Sequence, residues 1–270
     1  MRPLAELEPS LCRTLIGVAF DIDDTVTRGG RLELPAFQAL HQLAAAGLRL
    51  IAVTGRPLGW ADVVVHHWPI DAAVGENGAG WVWRDGRTPR EGYFDSEEVR
   101  DSYAELFERV RRRVQRELPN VKLTVDQRAR RCDLAFDVGE TMQLAAEEID
   151  RLVAIIEDEG ARSAVSSVHA HAQPGDWDKA SGIERAARDA LGIDMAKQRE
   201  RWLFIGDSGN DAAAFAYFPV SVGVGNVRRS LLRLPTPPRF VTRLDRGRGF
   251  AEMAQYVLSA RGDAATRNAP

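Results

Sequence analysis

Only two cysteines, Cys12 and Cys132, occur in a chain of 270 residues. That is far short of a disulfide framework and fits a reducing cytoplasm. Neither sits in a CxxC pair or other metal-ligand spacing, so both read as structural residues. No apolar run approaches the roughly 20 residues that span a bilayer, so no membrane segment is expected. Glu6 and Glu8 stand where a signal peptide would carry its apolar region. Charge of one sign is also missing. The formal net charge of −3 gives no global pull toward nucleic acid or an acidic membrane surface. What remains is 44% hydrophobic content, enough for a substantial core in one large domain or two modest ones. A cytoplasmic protein, monomer or homodimer, is expected.

The rest of the chain is organised around Asp21-Ile22-Asp23-Asp24-Thr25. The apolar residues 15–20 before it have the length and composition of a strand buried on both faces. Three carboxylates at the end of such a strand are costly unless something neutralises them. Alternate side chains of an extended chain share a face, so Asp21 and Asp23 point together into one pocket. Two close carboxylates repel unless a proton or a cation sits between them. A hard divalent cation, magnesium above all, would keep both ionised.

After a turn-rich loop, a helix starts near Pro35 and ends at a Gly47 cap. A strand over 48–53 runs into Thr54-Gly55-Arg56-Pro57, a helix covers 57–67, and a short strand ends in Val74-Gly75-Glu76-Asn77-Gly78. This alternation predicts right-handed βαβ units on a parallel sheet. The pattern then changes. A hairpin turning at Asp85-Gly86 is followed by an amphipathic helix carrying Tyr103, Leu106, Val110 and Val114. Strands over 121–127 and 132–138, a helix over 141–159 and a strand over 161–172 complete an inserted α+β unit. A helix then follows Asp178, and a strand over 202–205 runs into Gly206-Asp207-Ser208-Gly209-Asn210-Asp211. Strands over 221–224 and 240–243 and a helix over 249–259 precede a polar tail expected to fray. The expected fold is α/β. It has a doubly wound, Rossmann-like parallel-sheet core from 1–80 and 173–270 and an inserted α+β cap from 81–172.

Three strands thus finish in reactive groups: Asp21 and Asp23, Thr54, then Asp207 and Asp211. In an open parallel sheet those carboxyl ends share one edge, where ligands bind. Lys179 joins them from the first turn of a helix, where the macrodipole disfavours a cation, so an anion is expected beside it.

These segments resemble, in order, the four motifs of the haloacid dehalogenase superfamily of phosphatases, and the resemblance covers essentially the whole chain. The insertion between the second and third motifs, preceded by Glu76-Asn77-Gly78-Ala79, resembles the type IIB cap subclass. That subclass includes sucrose-phosphatase-like and mannosyl-phosphoglycerate-phosphatase-like enzymes. Asp24 departs from the glycine of many relatives. The resemblance implies a magnesium-dependent phosphoric monoester hydrolase acting on a small phosphorylated metabolite, by analogy a sugar phosphate. It implies that Asp21 attacks phosphorus to form an aspartyl-phosphate, and that Asp23 protonates the leaving oxygen and then activates water. Mg2+ would be held by Asp21, the Asp23 carbonyl and Asp207, with Asp211 bound directly or one step removed. Thr54, Gly55 and Asn210 would bind the phosphoryl oxygens, and Lys179 would supply compensating charge.

Arg56, Glu76, Asn77, His171 and Asp176 stand as candidate substrate contacts, and Gln173 and Trp177 lie where a leaving group would pass. His169 and His171 alternate on a strand but lack a third metal ligand at suitable spacing. The arginines from Arg109 to Arg116 are interleaved with Glu105, Glu108 and Glu117 and read as a solvated helix face, not a nucleic-acid patch. Trp177-Asp178-Lys179 also resembles phosphomannomutases, so a phosphotransferase is the alternative enzyme. A non-catalytic phosphometabolite-binding protein is the alternative of another class.

Overall fold

The computed structural model describes residues 1–267. Its strands in chain order are β1 (Arg2–Pro3), β2 (Gly17–Asp21), β3 (Thr27–Arg28), β4 (Arg31–Leu32), β5 (Arg49–Val53), β6 (Ala72–Gly75), β7 (Gly80–Asp85) and β8 (Thr88–Tyr93). They continue as β9 (Leu134–Asp137), β10 (Arg162–Val165), β11 (His169–Gln173), β12 (Trp202–Gly206), β13 (Val220–Gly223) and β14 (Phe240–Val241). The main sheet has nine strands in the order β1-β14-β13-β12-β2-β5-β6-β7-β8. From β1 to β6 all neighbours run parallel.

Strand β2 is buried at every residue, and its period of two divides it between two cores. Val18 and Phe20 face one side with Leu50 of β5. There they meet α2 (Leu34–Ala45), α3 (Leu58–His67) and α10 (Arg246–Arg267) through Leu40, Val65 and Phe250. Ala19, Ile51 and Val53 face the other side, against Ile183 of α7 (Lys179–Leu191) and Phe215 of α9 (Ala212–Tyr217). Helices on both faces make the sheet doubly wound. The Phe20 and Phe250 rings lie 5.3 Å apart, and truncating Phe20 to alanine would cost about 3–5 kcal/mol. The remaining helices are α1 (Pro9–Thr14), α4 (Glu97–Asp101), α5 (Tyr103–Glu117), α6 (Ala146–Asp158) and α8 (Met195–Gln198). No helix among the described residues is long and apolar enough to cross a membrane.

The hairpin expected to open the insertion belongs instead to the main sheet. β7 pairs antiparallel with β6, and β8 with β7. Trp81 is drawn into the core beside Val74, so the hairpin is an edge extension and the cap's own elements start beyond Tyr93. Those elements are α5 and α6 on an antiparallel sheet of order β10-β11-β9. Val110, Val114, Phe136, Leu152, Ile155 and Ala170 form a separate core there.

Three further differences have local causes. The strand expected over 121–127 shrinks to a single Leu123–Phe136 bridge, because Arg130 turns the following chain inward to Asp126 and Asp133. The strand expected over 161–172 folds back as β10 and β11. Ser166 Oγ makes that turn by accepting the backbone N–H groups of Val168 and His169. The final helix continues to Arg267 where fraying was expected, and residues 268–270 of the expected tail lie outside the described residues.

Candidate active site

In register, Asp21 stands beside Val53, the last residue of β5, and Phe20 beside Ile205 of β12. The carboxyl ends of these strands therefore meet at one edge, and Asp21, Thr54 and Asp207 are brought together as the sequence predicts. Lys179 reaches them from the other side. Gly78, at φ 117, lies so close to the Asp178 carbonyl that a Cβ there would stand 2.1 Å from its oxygen. Only glycine permits that contact, which sets the start of α7 against the sheet edge. Asp178 caps α7 by accepting the Ser181 N–H at 2.8 Å.

Lys179 is fully buried. Its Nζ donates to Asp21 Oδ1 at 2.6 Å and to Asp211 Oδ1 at 2.7 Å. Asp211 Oδ2 accepts the backbone N–H groups of Asp207 and Ser208 at 2.8 and 3.0 Å. Both its oxygens are thus occupied in holding the loop and the lysine. Burial pushes Asp21 up to about 7 against the pull of Lys179. Burial, with the carboxylates of Asp21 and Asp211, raises Asp207 well above its ordinary range.

The cluster fits a hard divalent cation. One carboxylate oxygen from each of Asp21, Asp207 and Asp211 lies within 4.8 Å of the others. Asp21 Oδ2 and Asp207 Oδ1 are buried without a partner. One ammonium can offset only one of three carboxylate charges, and a divalent cation would cancel the other two.

Asp23 contributes no side-chain oxygen to that cluster. Arg56 holds it bidentately, Nε and a terminal nitrogen each 3.0 Å from a carboxylate oxygen. The same guanidinium reaches Asp126 Oδ2 at 3.2 Å and Glu140 Oε1 at 2.8 Å, both from the cap. Arg56 therefore straps cap to core rather than facing open space. Thr54 Oγ1 accepts the Arg56 N–H at 3.0 Å and keeps its own hydrogen to donate. Asn210 Nδ2 is engaged with Asn77 Oδ1 at 2.9 Å.

A small pocket over Asp21, Asp23 and Gly55 is roofed by Ser166–His169 of the cap and holds about 10 Å³ of free space. That is room for at most one water, so the cap is closed. A cleft of about 710 Å³ adjoins it, lined by Asn77, Lys179, Asn210 and Gln173 among others.

Two candidate contacts, Glu76 and Asp176, line neither of these spaces. Glu76 is fully buried and accepts backbone N–H groups from Leu58, Arg131, Cys132 and Asp133, so it braces α3 against the cap. The Asp176 side chain is 96% exposed, with Arg162 4.0 Å away. His171 is buried, with Nδ1 2.8 Å from Asp133 Oδ2 and Nε2 unpartnered. Burial pulls it down to about 4, so its ring is neutral. Its Nε2 lies 3.1 Å from where a Gly55 Cβ would stand, facing the backbone of that loop. His169 pairs with Glu140 at 2.8 Å.

Sequence reasoning missed Asn226, whose Nδ2 donates to Asp207 Oδ2 at 3.0 Å and to the Asp24 carbonyl at 3.1 Å. Its signal was available: it follows the carboxyl end of β13, at the same sheet edge. Asp24, at φ 55, is held by Arg246 at 2.6 Å. The cap carboxylates Asp126 and Glu140 gave no local signal at all.

A family model described as haloacid dehalogenase-like hydrolase matches residues 18–117. No curated protein matches the chain at a significant level. Among solved structures, a Thermoplasma acidophilum protein aligns with a TM-score of 0.67 and 19% identity, covering 90% of this chain and 99% of its own. The Synechocystis sucrose-phosphatase, solved with sucrose and phosphate, aligns at 0.63 and 16% identity over 91% and 98% of the two chains. A subclass IIB sugar phosphatase aligns at 0.54 and 17% identity over 92% and 98%. These likenesses establish the fold. The matched family model spans 100 of the 270 residues, and there and in its fold the chain resembles haloacid dehalogenase-like hydrolases.

Proposed function

We propose that this chain is a haloacid dehalogenase-superfamily hydrolase of the type IIB subclass, a magnesium-dependent phosphatase that cleaves a small phosphorylated metabolite, by class a sugar phosphate, through an aspartyl-phosphate. The observation that carries the reading is the state of Asp21. One oxygen is held by Lys179, the other is buried without a partner, and Asp21 lines the small pocket beside Gly55. A fixed carboxylate with one free oxygen is what in-line attack on phosphorus needs. When bound, Mg2+ would supply charge neutralisation between Asp21 and the phosphoryl group, held by Asp21, Asp207 and the Asp23 carbonyl.

The chain's own groups do the rest. Asp21 Oδ2 forms the new bond to phosphorus as the bond to the leaving oxygen breaks. Asp23 gives that oxygen a proton, then takes one from the water that opens the aspartyl-phosphate. In both steps the Asp23 carboxyl has to reach the reacting oxygen, so its two hydrogen bonds from Arg56 must loosen when substrate arrives. Thr54 Oγ1 and the Asn77 amide offer donors to phosphoryl oxygens, and Lys179 offsets their charge. The closed roof keeps out water other than the attacking one.

The test is phosphate release from a panel of sugar phosphates and other phosphorylated metabolites, with and without magnesium. Magnesium-dependent release from at least one is expected. No release from any, by folded protein, would contradict the reading.

A further inference from the structure

The 710 Å³ cleft shares Ser166, Ser167, Ser208 and Asn210 with the pocket over Asp21. Whatever is joined to a phosphate seated at Asp21 therefore has a continuous way into it. Two amides in its wall are buried with a nitrogen that has no partner: Gln173, 3% exposed, and Asn77, 2% exposed. An unpaired buried donor costs about 1–3 kcal/mol. Groups of this kind need a partner that comes with a ligand.

The two amides differ in what they offer. Ser208 Oγ donates to Asn210 Oδ1 at 3.0 Å, and Asn210 Nδ2 donates to Asn77 Oδ1 at 2.9 Å. This relay fixes the Asn77 oxygen, so Asn77 has only its N–H groups left. No side-chain hydrogen bond among the described residues fixes the Gln173 amide, and a half-turn exchanges its oxygen and nitrogen. A group that donates or accepts at one place matches a hydroxyl, which does the same. Charge points the same way. Of the three cations in the cleft wall, Lys179 is taken up by Asp21 and Asp211, and Arg162 and Arg229 are matched in number by Asp150 and Asp178, leaving no surplus for a second anion.

We infer that Gln173 is a specificity-determining residue that reads a hydroxyl on a neutral, polyhydroxylated leaving group lying in this cleft. The inference rests on the phosphatase reading for the position of the scissile phosphate. Gln173 ends β11, opposite Arg162 of β10, so a rigid strand pair positions its amide.

The test compares sorbitol 6-phosphate with hexyl phosphate, which has the same carbon count and no hydroxyls. Gln173→Leu is expected to lower the ratio of their kcat/KM values roughly ten- to a hundredfold relative to wild type. Both substrates slowed alike, with the ratio unchanged, is what a merely structural glutamine gives and would overturn the inference. The same two compounds are titrated calorimetrically into Asp21→Asn and Asp21→Asn/Gln173→Leu proteins. There the ratio of dissociation constants is expected to shift in the same sense, and an unshifted ratio overturns it. If wild-type protein releases phosphate from neither compound, the phosphatase reading is in question, and the calorimetric ratio alone decides the subsite.

Discussion

Lys179 Nζ lies 2.6 Å from Asp21 Oδ1, although 158 residues separate them in sequence. The contact is buried on both sides and shared with Asp211. Removing one partner of such an arrangement leaves uncompensated charge in a low dielectric. Lys179→Met is expected to destabilise the fold by about 3–5 kcal/mol in urea unfolding and to abolish phosphate release. Magnesium should recover part of the lost stability. A loss below about 1 kcal/mol would mean that the three aspartates are not ionised together.

Asp207 tests the metal reading from the opposite direction. Its carboxyl is raised by burial and by its neighbours Asp21 and Asp211, so without metal its charge works against the fold. Asp207→Asn keeps an oxygen for Asn226 while removing that charge. Without metal, its Tm should equal or exceed that of wild type, and the upward shift that magnesium gives wild type should vanish. An intact magnesium shift in the variant would remove Asp207 from the ligand set.

Arg56 joins Asp23 to Asp126 and Glu140 through one guanidinium. A lysine keeps the charge and loses the fork. Arg56→Lys is expected to lower kcat at least roughly tenfold and to raise hydrogen exchange at the Ser166–His169 roof. Faster exchange would mark a loosened cap. Unchanged kcat and unchanged exchange would show that the strap carries no function.

Much of this was legible in the sequence for a physical reason. Apolar runs that end abruptly in carboxylates, such as residues 15–23 and 202–211, report a strand and a sheet edge in one signal. Lys179 was legible because its place at a helix start runs against the dipole. The hairpin at Asp85-Gly86 was read correctly as a hairpin but assigned to the wrong unit, because turn chemistry says nothing about which sheet a pair joins. Glu76 looked like a substrate contact because its burial and its backbone partners, Arg131 to Asp133, arise only in three dimensions. Asp126 and Glu140 were invisible for the same reason. A carboxylate in a cap loop looks solvated until the cap closes on Arg56.

His171 predicts a pH dependence. Burial lowers it to about 4 in the folded protein, below the roughly 6.5 of an unfolded histidine. The unfolded chain therefore takes up this proton first. The contribution to stability is complete above the unfolded value and is lost as pH falls toward the folded one, by up to about 3 kcal/mol. His171→Asn, which can still donate to Asp133, should flatten the acid limb when urea midpoints at about pH 7 and pH 5 are compared. Parallel pH curves for the two proteins would show that the ring is not held neutral.

The most direct measurement is phosphate release by Asp21→Asn, made on protein whose thermal unfolding and circular dichroism match wild type. The amide keeps the shape and removes the attacking oxygen's charge. Turnover of the best substrate is expected to fall by at least about a thousandfold. Turnover within about tenfold of wild type would contradict Asp21 as the nucleophile, and with it the reading of the site.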